Sequence, residues 1–165
     1  MFQTGSTVMH PTAGVCTITD LRKEKFSGSW ELYYCLQPVF DSANNRIYVP
    51  VNSEKVVLRQ LISKAQINEI LAQVRTAQDL WSPDERERAE RYSALLKTDD
   101  HAAIVKMITA MYQYKEALRK AGRKLHQSDE RLLQQACTLI HQEFSYALGL
   151  EEAETVQYIM ERIAA

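Results

Sequence analysis

Glycine, proline and cysteine are all scarce in this chain of 165 residues, which has 5 glycines, 4 prolines and 3 cysteines. So little glycine and proline excludes a collagen-like or low-complexity chain. The cysteines are odd in number, lie far apart in sequence, and have neither the CxxC nor the Cys/His spacing that a zinc site needs. We therefore expect Cys16, Cys35 and Cys137 to be reduced, buried thiols.

Long apolar runs and an excess of one charge are missing as well. No segment approaches the ~20 apolar residues of a membrane span, and the polar residues 3–6 leave no room for an apolar signal region. The 20 basic and 21 acidic residues give a net charge of −1. Bulk charge therefore provides no attraction to nucleic acid or anionic lipid, and such contacts need a local cluster. We expect a cytoplasmic globular protein that does not bind membranes.

Motifs for catalysis and for cofactor binding are not found. The chain has no GxGxxG, P-loop, HExxH or GxSxG sequence. None of His10, His101, His126 and His141 stands beside a serine, cysteine or carboxylate at the spacing of a catalytic pair. We expect these histidines to be surface or turn residues. The prediction is a non-enzymatic protein with no cofactor, no metal and no small-molecule substrate.

The first 60 residues alternate with a period of two, which is typical of short, half-buried strands. A strand over 14–25 and a turn over 26–29, where Gly28 can adopt a positive φ, predict a hairpin. A loop over 41–45 leads to a strand in which Pro50 cannot donate to a ladder, so this strand should end there or lie at a sheet edge. We predict a small Tudor-like or SH3-like β-barrel over residues 1–60.

The same alternation assigns side chains to the faces of these strands. One face of the second hairpin strand should carry Trp30, Leu32, Tyr34 and Leu36, and the other Glu31, Tyr33, Cys35 and Gln37. In the later strand, Ile47, Val49 and Val51 should alternate with Arg46, Tyr48 and Pro50.

After Leu61 the period changes to 3.6, so residues 61–165 should form an all-α domain, with the boundary near 59–63. Ser63 and Gln66 match a capping box at the first helix. Further boundaries are predicted at Ser82 as N-cap before Pro83 and Glu85, at Asp99 or Asp100, at Ser128, at Gly149 and at Glu151. The fold class is α+β.

Two clusters of basic residues occur in the helical half. Arg86, Arg88 and Arg91 are interleaved with four carboxylates, which favours a salt-bridged helix surface. The second cluster has only Glu116 as a counter-charge and consists of Lys115, Arg119, Lys120, Arg123 and Lys124. One helix edge would follow a phosphate backbone if the helix ran past Gly122. The alternative is a solvated helix end, where the dipole favours cations.

Trp81 lies just before a predicted helix and has no apolar run around it. The indole is either a wedge for a partner or a hydrophobic staple that folds back on its own helix.

The order of several short motifs resembles the CarD/CdnL family of bacterial transcription regulators. Its N-terminal module is similar to the polymerase-interacting domain of transcription-repair coupling factor. The residues that match this module are Phe2, Gly5, Val8, Pro11, Gly14, Ile18, residues 33–36, residues 49–51, Leu58 and Arg59. Its C-terminal domain is matched by Arg91, Tyr92, Asp100, Ile104, Met107, Ile108, Met111, Leu125, Leu133, Ala136, Ile140 and Glu143.

The resemblance implies a Tudor-like domain that adds its sheet edge to a strand of the RNA polymerase β subunit. The contact residues would be Arg46, Tyr48, Val49 and Pro50. It also implies a helical domain that contacts promoter DNA at the melted region, with a tryptophan wedge that influences the stability of the open complex.

The chain departs from the family pattern at the expected DNA contact. Arg88 stands at the wedge position, four residues before Tyr92, and the nearest indole is Trp81. Thr109 replaces a basic residue of the family, while His10 and Cys16 replace a common tyrosine and glycine. Promoter DNA is therefore expected to bind weakly, through Trp81, Arg88 or the second basic cluster. The competing hypothesis is a Tudor-like protein-interaction adaptor with a helical scaffold and no direct DNA binding.

Overall fold

A computed structural model of the chain describes residues 1–40, 43–75 and 81–164. The chain divides into two compact units, residues 1–62 and residues 63–165, which we call the β unit and the helical unit. Asp41 and Ser42, which belong to the predicted loop over 41–45, lie outside the described residues.

The β unit is built on one antiparallel sheet. Its described strands are β1 (Thr7–His10), β2 (Gly14–Glu24), β3 (Glu31–Pro38), β4 (Ile47–Pro50) and β5 (Arg59–Gln60), in the spatial order β4-β3-β2-β1-β5. Within the described residues β4 and β5 do not pair, so the sheet is open where the sequence predicted a closed barrel. The α+β class is confirmed.

The β2–β3 hairpin forms at the predicted turn, with Gly28 at φ +88°. The register of the two strands shifts between Ile18 and Asp20, which is a β-bulge. The hydroxyl of Thr19, inside the bulge, donates to the carbonyl of Cys35 at 3.1 Å. This bulge increases the local twist of β2.

The core of the β unit lies on one face of the sheet and consists of Val8, Cys16, Ile18, Tyr34, Leu36 and Val49. Tyr34 and Leu36 share this face, as the alternation predicted. The other face of β3 is buried as well, because Tyr33 is 6% and Cys35 0% exposed, and the burial of Cys35 agrees with the expectation of a buried thiol. Trp30 is 69% exposed. Apolar packing therefore continues onto the second face of β3.

Five helices are described in the helical unit: α1 (Lys64–Arg75), α2 (Glu85–Leu96), α3 (His101–Lys120), α4 (Gln127–Leu148) and α5 (Glu152–Ala164). None of them combines the length and apolarity needed to cross a membrane. Their shared core contains Ile67, Leu71, Ile104, Met107, Met111, Leu133, Ala136, Ile140 and Phe144.

Three predicted helix boundaries are confirmed by local hydrogen bonds or dihedral angles. The backbone N–H of Ser63 donates to Gln66 Oε1 at 2.9 Å, and the N–H of Gln66 donates to Ser63 Oγ at 3.2 Å, which completes the capping box. Asp100 caps α3 by accepting from the N–H of Ala103 at 3.0 Å. Gly149 ends α4 at φ +67°.

Two other boundaries differ from the prediction, and the end of α3 decides a point that the sequence left open. Ser82 is not the N-cap of α2: the cap is Asp84, whose carboxylate accepts from the N–H of Glu87 at 2.9 Å. Helix α4 begins at Gln127, one residue before Ser128. Helix α3 ends at Lys120, before Gly122, so it does not extend to the later cations.

Candidate protein-binding edge and basic surface

Strand β4 lies at one edge of the sheet and pairs only with β3 in the described residues. The N–H of Val51, just after β4, donates to the carbonyl of Leu32 at 3.0 Å. Because hydrogen-bonded positions alternate along an antiparallel pair, the backbone groups of Tyr48 point away from β3. Pro50 occupies an equivalent position but has no N–H. The outer edge of β4 therefore offers a donor and an acceptor at Tyr48, whereas the carbonyl of Pro50 already accepts from the N–H of Ser53 at 3.0 Å.

The side chains of β4 alternate as the sequence predicted. Val49 is 3% exposed and packs in the core, whereas Arg46 and Tyr48 are exposed and Pro50 is half-buried. Anchoring through Val49 fixes the strand while the alternate side chains remain accessible. These four residues thus form one continuous edge segment.

Three aromatic rings form a cluster beside this edge, which we call the aromatic patch: Phe26, Tyr33 and Tyr48. The ring of Phe26 meets Tyr33 at 5.1 Å and Tyr48 at 5.3 Å between centroids, both edge-on. Edge-on pairs of this kind are favourable beyond their burial. Sequence reasoning missed Phe26 because it assigned that residue to a turn. The patch extends the apolar surface next to the β4 edge.

An ion pair lies near the aromatic patch. Arg22 Nε donates to Asp20 Oδ2 at 2.7 Å, and this hydrogen bond lowers the pKa of Asp20. Both side chains are partly exposed, so the pair is screened by water. Arg46, the residue just before β4, takes no part in this ion pair.

Arg88 is buried in the helical unit, which corrects the expectation of a surface residue. Its Nε donates to Asp129 Oδ1 at 2.8 Å and its Nη2 donates to Asp129 Oδ2 at 2.7 Å, with side-chain exposures of 3% and 1%. These hydrogen bonds raise the pKa of Arg88. Nη1 also donates to the carbonyl of Ser82 at 2.9 Å. The guanidinium therefore links α2 to α4.

Trp81 stacks between two side chains of the helical unit. The guanidinium carbon of Arg88 lies 4.3 Å from the centre of the indole, and the ring of Tyr114 stacks on it at 3.9 Å. The contact with Arg88 resembles a staple on its own helix, but the contact with Tyr114 belongs to α3. The indole is half-buried and joins two helices.

The second basic cluster is partly neutralised. Lys115 Nζ lies 3.0 Å from Glu130 Oε1, and Arg119 makes two hydrogen bonds to Glu116 at 2.9 and 2.6 Å. With the residues that the structure describes, Lys120, Arg123 and Lys124 make no ion pair, and all three are exposed. Because α3 ends at Lys120, the condition for a continuous helix edge from Lys115 to Arg123, a helix that runs past Gly122, is not met.

The four histidines differ in their surroundings. His126, beside the start of α4, is exposed as expected. The expectation was wrong for His101, whose Nε2 lies 2.7 Å from the fully buried Glu143 Oε1. Burial lowers the pKa of His10 and of His141. Across the described part of the chain, no group of histidine, cysteine and carboxylate side chains is arranged to hold a metal ion.

An open antiparallel sheet with an accessible edge strand and neighbouring aromatic rings defines a small β-type protein-interaction domain. Residues 2–62 match the family model of the CarD-like/TRCF RID domain, so the β unit belongs to this family. The presence of this domain implies an RNA polymerase-interacting, transcription-related protein. The search of curated proteins gave no match.

Proposed function

We propose that the β unit binds the β subunit of bacterial RNA polymerase by strand addition to the outer edge of β4, and that the chain modulates the stability of the promoter open complex. The observation that carries this proposal is the backbone of Tyr48, which points away from β3 at a sheet edge. The domain would act as a Tudor-like module in which main-chain hydrogen bonds supply much of the affinity.

Selectivity would come from side chains beside the edge. A strand that pairs with β4 places alternate residues next to Arg46 and Tyr48, on the face that carries the aromatic patch. An apolar residue of the partner strand would extend the patch, and a carboxylate would pair with Arg46. Both contacts need only side chains at alternate positions of the partner strand, on the face that it shares with Arg46 and Tyr48.

The helical unit would contact promoter DNA weakly, through Lys120, Arg123 and Lys124. These are the cluster residues whose charge is not paired with a neighbouring carboxylate, whereas Lys115 and Arg119 have such partners. Trp81 and Arg88 would position helices rather than contact DNA, because their side chains already stack on each other.

A second candidate function is a protein-interaction adaptor without direct DNA binding. The buried Arg88–Asp129 pair and the two neutralised cations of the later cluster favour it, because each reduces the positive charge available to phosphates. The two functions share the β4 edge and differ in the role of the helical unit.

Two variants of Tyr48 test the strand-addition step with purified core polymerase. Tyr48→Pro removes an N–H that β3 does not use, so the sheet should remain intact while the partner strand loses one hydrogen bond. Such a bond is worth about 0.5–1.5 kcal/mol, and the proline ring adds a steric cost at the edge. We expect at least a several-fold loss of affinity by biolayer interferometry.

Tyr48→Val is the matched control, because it keeps the N–H and suits a strand. It should lose only the side-chain contribution and bind more tightly than the proline variant. Equal binding by Tyr48→Pro and the unmodified chain, with circular dichroism unchanged, would rule out the β4 edge as the contact.

A further inference from the structure

The tip of the β2–β3 hairpin carries an exposed indole next to lysines. Trp30 is 69% exposed. Glu24 pairs with Glu31 across the hairpin, and continuing that register by one residue places Lys25 opposite Trp30. Lys23 lies two residues before Lys25 and therefore on the same face. The two glutamates lie on the reverse face together with the Asp20–Arg22 ion pair, so Lys23 and Lys25 are the charged residues of the Trp30 face.

The Trp30 face differs from the face used in the proposed polymerase contact. Phe26 packs against Tyr33 and Tyr48, which lie on the same side of the sheet as the glutamates. A ligand bound at Trp30 would therefore leave both the aromatic patch and the outer edge of β4 accessible.

We propose that the Trp30 face of the hairpin binds single-stranded nucleic acid. An exposed indole gives an unpaired base a flat surface for stacking, which a paired base inside a duplex does not offer. Lys23 and Lys25 are separated by about 6.6–6.8 Å along the strand, from a rise of 3.3–3.4 Å per residue. This separation is comparable with that of successive phosphates in an extended strand. Stacking and phosphate contacts are thus available together on one face.

Charge complementarity favours this ligand. Both charged residues of this face in the hairpin are lysines, whereas the whole chain has a net charge of −1. The spacing of the two cations suits a regular polyanion, and the indole adds a stacking contact that carboxylate side chains cannot supply. The site is small, so its affinity alone should be modest.

Intrinsic fluorescence tests the proposal on the full chain. The sequence has two tryptophans, so Trp81→Phe leaves Trp30 as the single indole reporter. We expect a 12-nucleotide oligothymidylate to quench this emission. With two phosphates neutralised, the slope of log affinity against log salt should be about −1.4, from −0.7 per contact on single strands. Trp30→Ala should weaken binding of a labelled oligonucleotide by about 5- to 150-fold.

The lysines are tested by a matched pair of variants. Lys23→Gln together with Lys25→Gln should bring the salt slope close to zero, whereas Lys55→Gln, an exposed lysine outside the hairpin, should leave it unchanged. Three outcomes would overturn the proposal: no quenching by the oligonucleotide, equal quenching by polyglutamate, or a blue shift with phosphatidylglycerol vesicles alone. None of them affects the β4 proposal, whose test is polymerase binding by the Tyr48 variants.

Discussion

At the scale of single residues, the Arg88–Asp129 pair is the buried ion pair that connects α2 and α4. The interleaved carboxylates of α2 led the sequence reasoning to treat Arg88 as a surface residue. Its partner lies 41 residues later, on another helix, and local charge patterning cannot identify such a pair. Asp129 carried no signal of its own, since acidic residues are common in the first turn of a helix.

Removing one partner of this pair should be strongly destabilising. Asp129→Ala leaves a buried, uncompensated guanidinium, and we expect a loss of about 3–5 kcal/mol in the free energy of unfolding measured with urea. Arg86→Met is the control. The Arg86 side chain is 91% exposed and its Nε lies 3.7 Å from Glu90 Oε1, so this substitution should lower the free energy of unfolding by under about 0.5 kcal/mol. A similar, small cost for both variants would show that the pair does not hold the helices together.

Cys16 illustrates a residue whose burial was predicted correctly from composition alone. Burial raises the pKa of the Cys16 thiol to about 11. The charged form is therefore disfavoured in the native state. Cys35 is also buried, whereas Cys137 is only partly buried.

The raised pKa predicts slow alkylation of Cys16. At pH 8 roughly one native molecule in a thousand would carry the thiolate, against roughly one in ten when unfolded. Iodoacetamide labelling followed by mass spectrometry should leave Cys16 unmodified in the native chain and modified in urea. The raised pKa of Cys16 stabilises the native state relative to the unfolded state. This contribution is fully present below about pH 9 and is lost as pH rises through about 11. Rapid native labelling at pH 8 would contradict the burial of this thiol.

At the scale of elements, the helix starts show which sequence signals are sufficient. Ser63 and Gln66 form their capping box because the signal is local and reciprocal. Before α2, the sequence predicted Ser82 as the N-cap, but the carboxylate of Asp84 is the cap that is used. The carbonyl of Ser82 is instead held by Arg88, a tertiary contact that no local pattern predicts.

The two candidate caps of α2 can be separated by mutation. Asp84→Ala should cost about 0.5–2 kcal/mol because the N–H of Glu87 loses its acceptor. Ser82→Ala keeps the carbonyl that Arg88 uses, so thermal unfolding should show the smaller change for this variant. A lower melting temperature for Ser82→Ala than for Asp84→Ala would show that Ser82 is the N-cap of α2.

Strand faces were predicted well where one face is buried and poorly where both are. Alternation placed Val49 in the core and Arg46 and Tyr48 at the surface, as observed. It gave no sign that Tyr33 is buried on the second face of β3, where Phe26 from the preceding turn packs against it. A period of two cannot indicate what a turn residue will cover.

At the scale of the whole molecule, nearly balanced charge means that the proposed contact with DNA rests on a few exposed cations. Changing Lys120, Arg123 and Lys124 to glutamine should reduce the slope of log affinity against log salt on duplex promoter DNA by about 2.7, at about 0.9 per contact. Fluorescence anisotropy at several salt concentrations measures this slope.

Glutamine substitution of Lys115 and Arg119 is the matched comparison. Their charges already face Glu130 and Glu116, so the slope should change little. A larger change of the slope for Lys115 and Arg119 than for the other three cations would place the DNA contact on these two residues of α3. No measurable slope in any variant would favour the adaptor function.

The dimensions of β4 also bear on how the protein behaves when concentrated. An exposed sheet edge is a template for pairing with another copy of the same chain. Here the strand is only four residues long and ends at Pro50, which has no N–H to contribute. An identical edge would therefore form a short and incomplete ladder, whereas a longer strand from another protein could supply donors and acceptors throughout. The edge is thus protected against self-association while it remains open to a different chain.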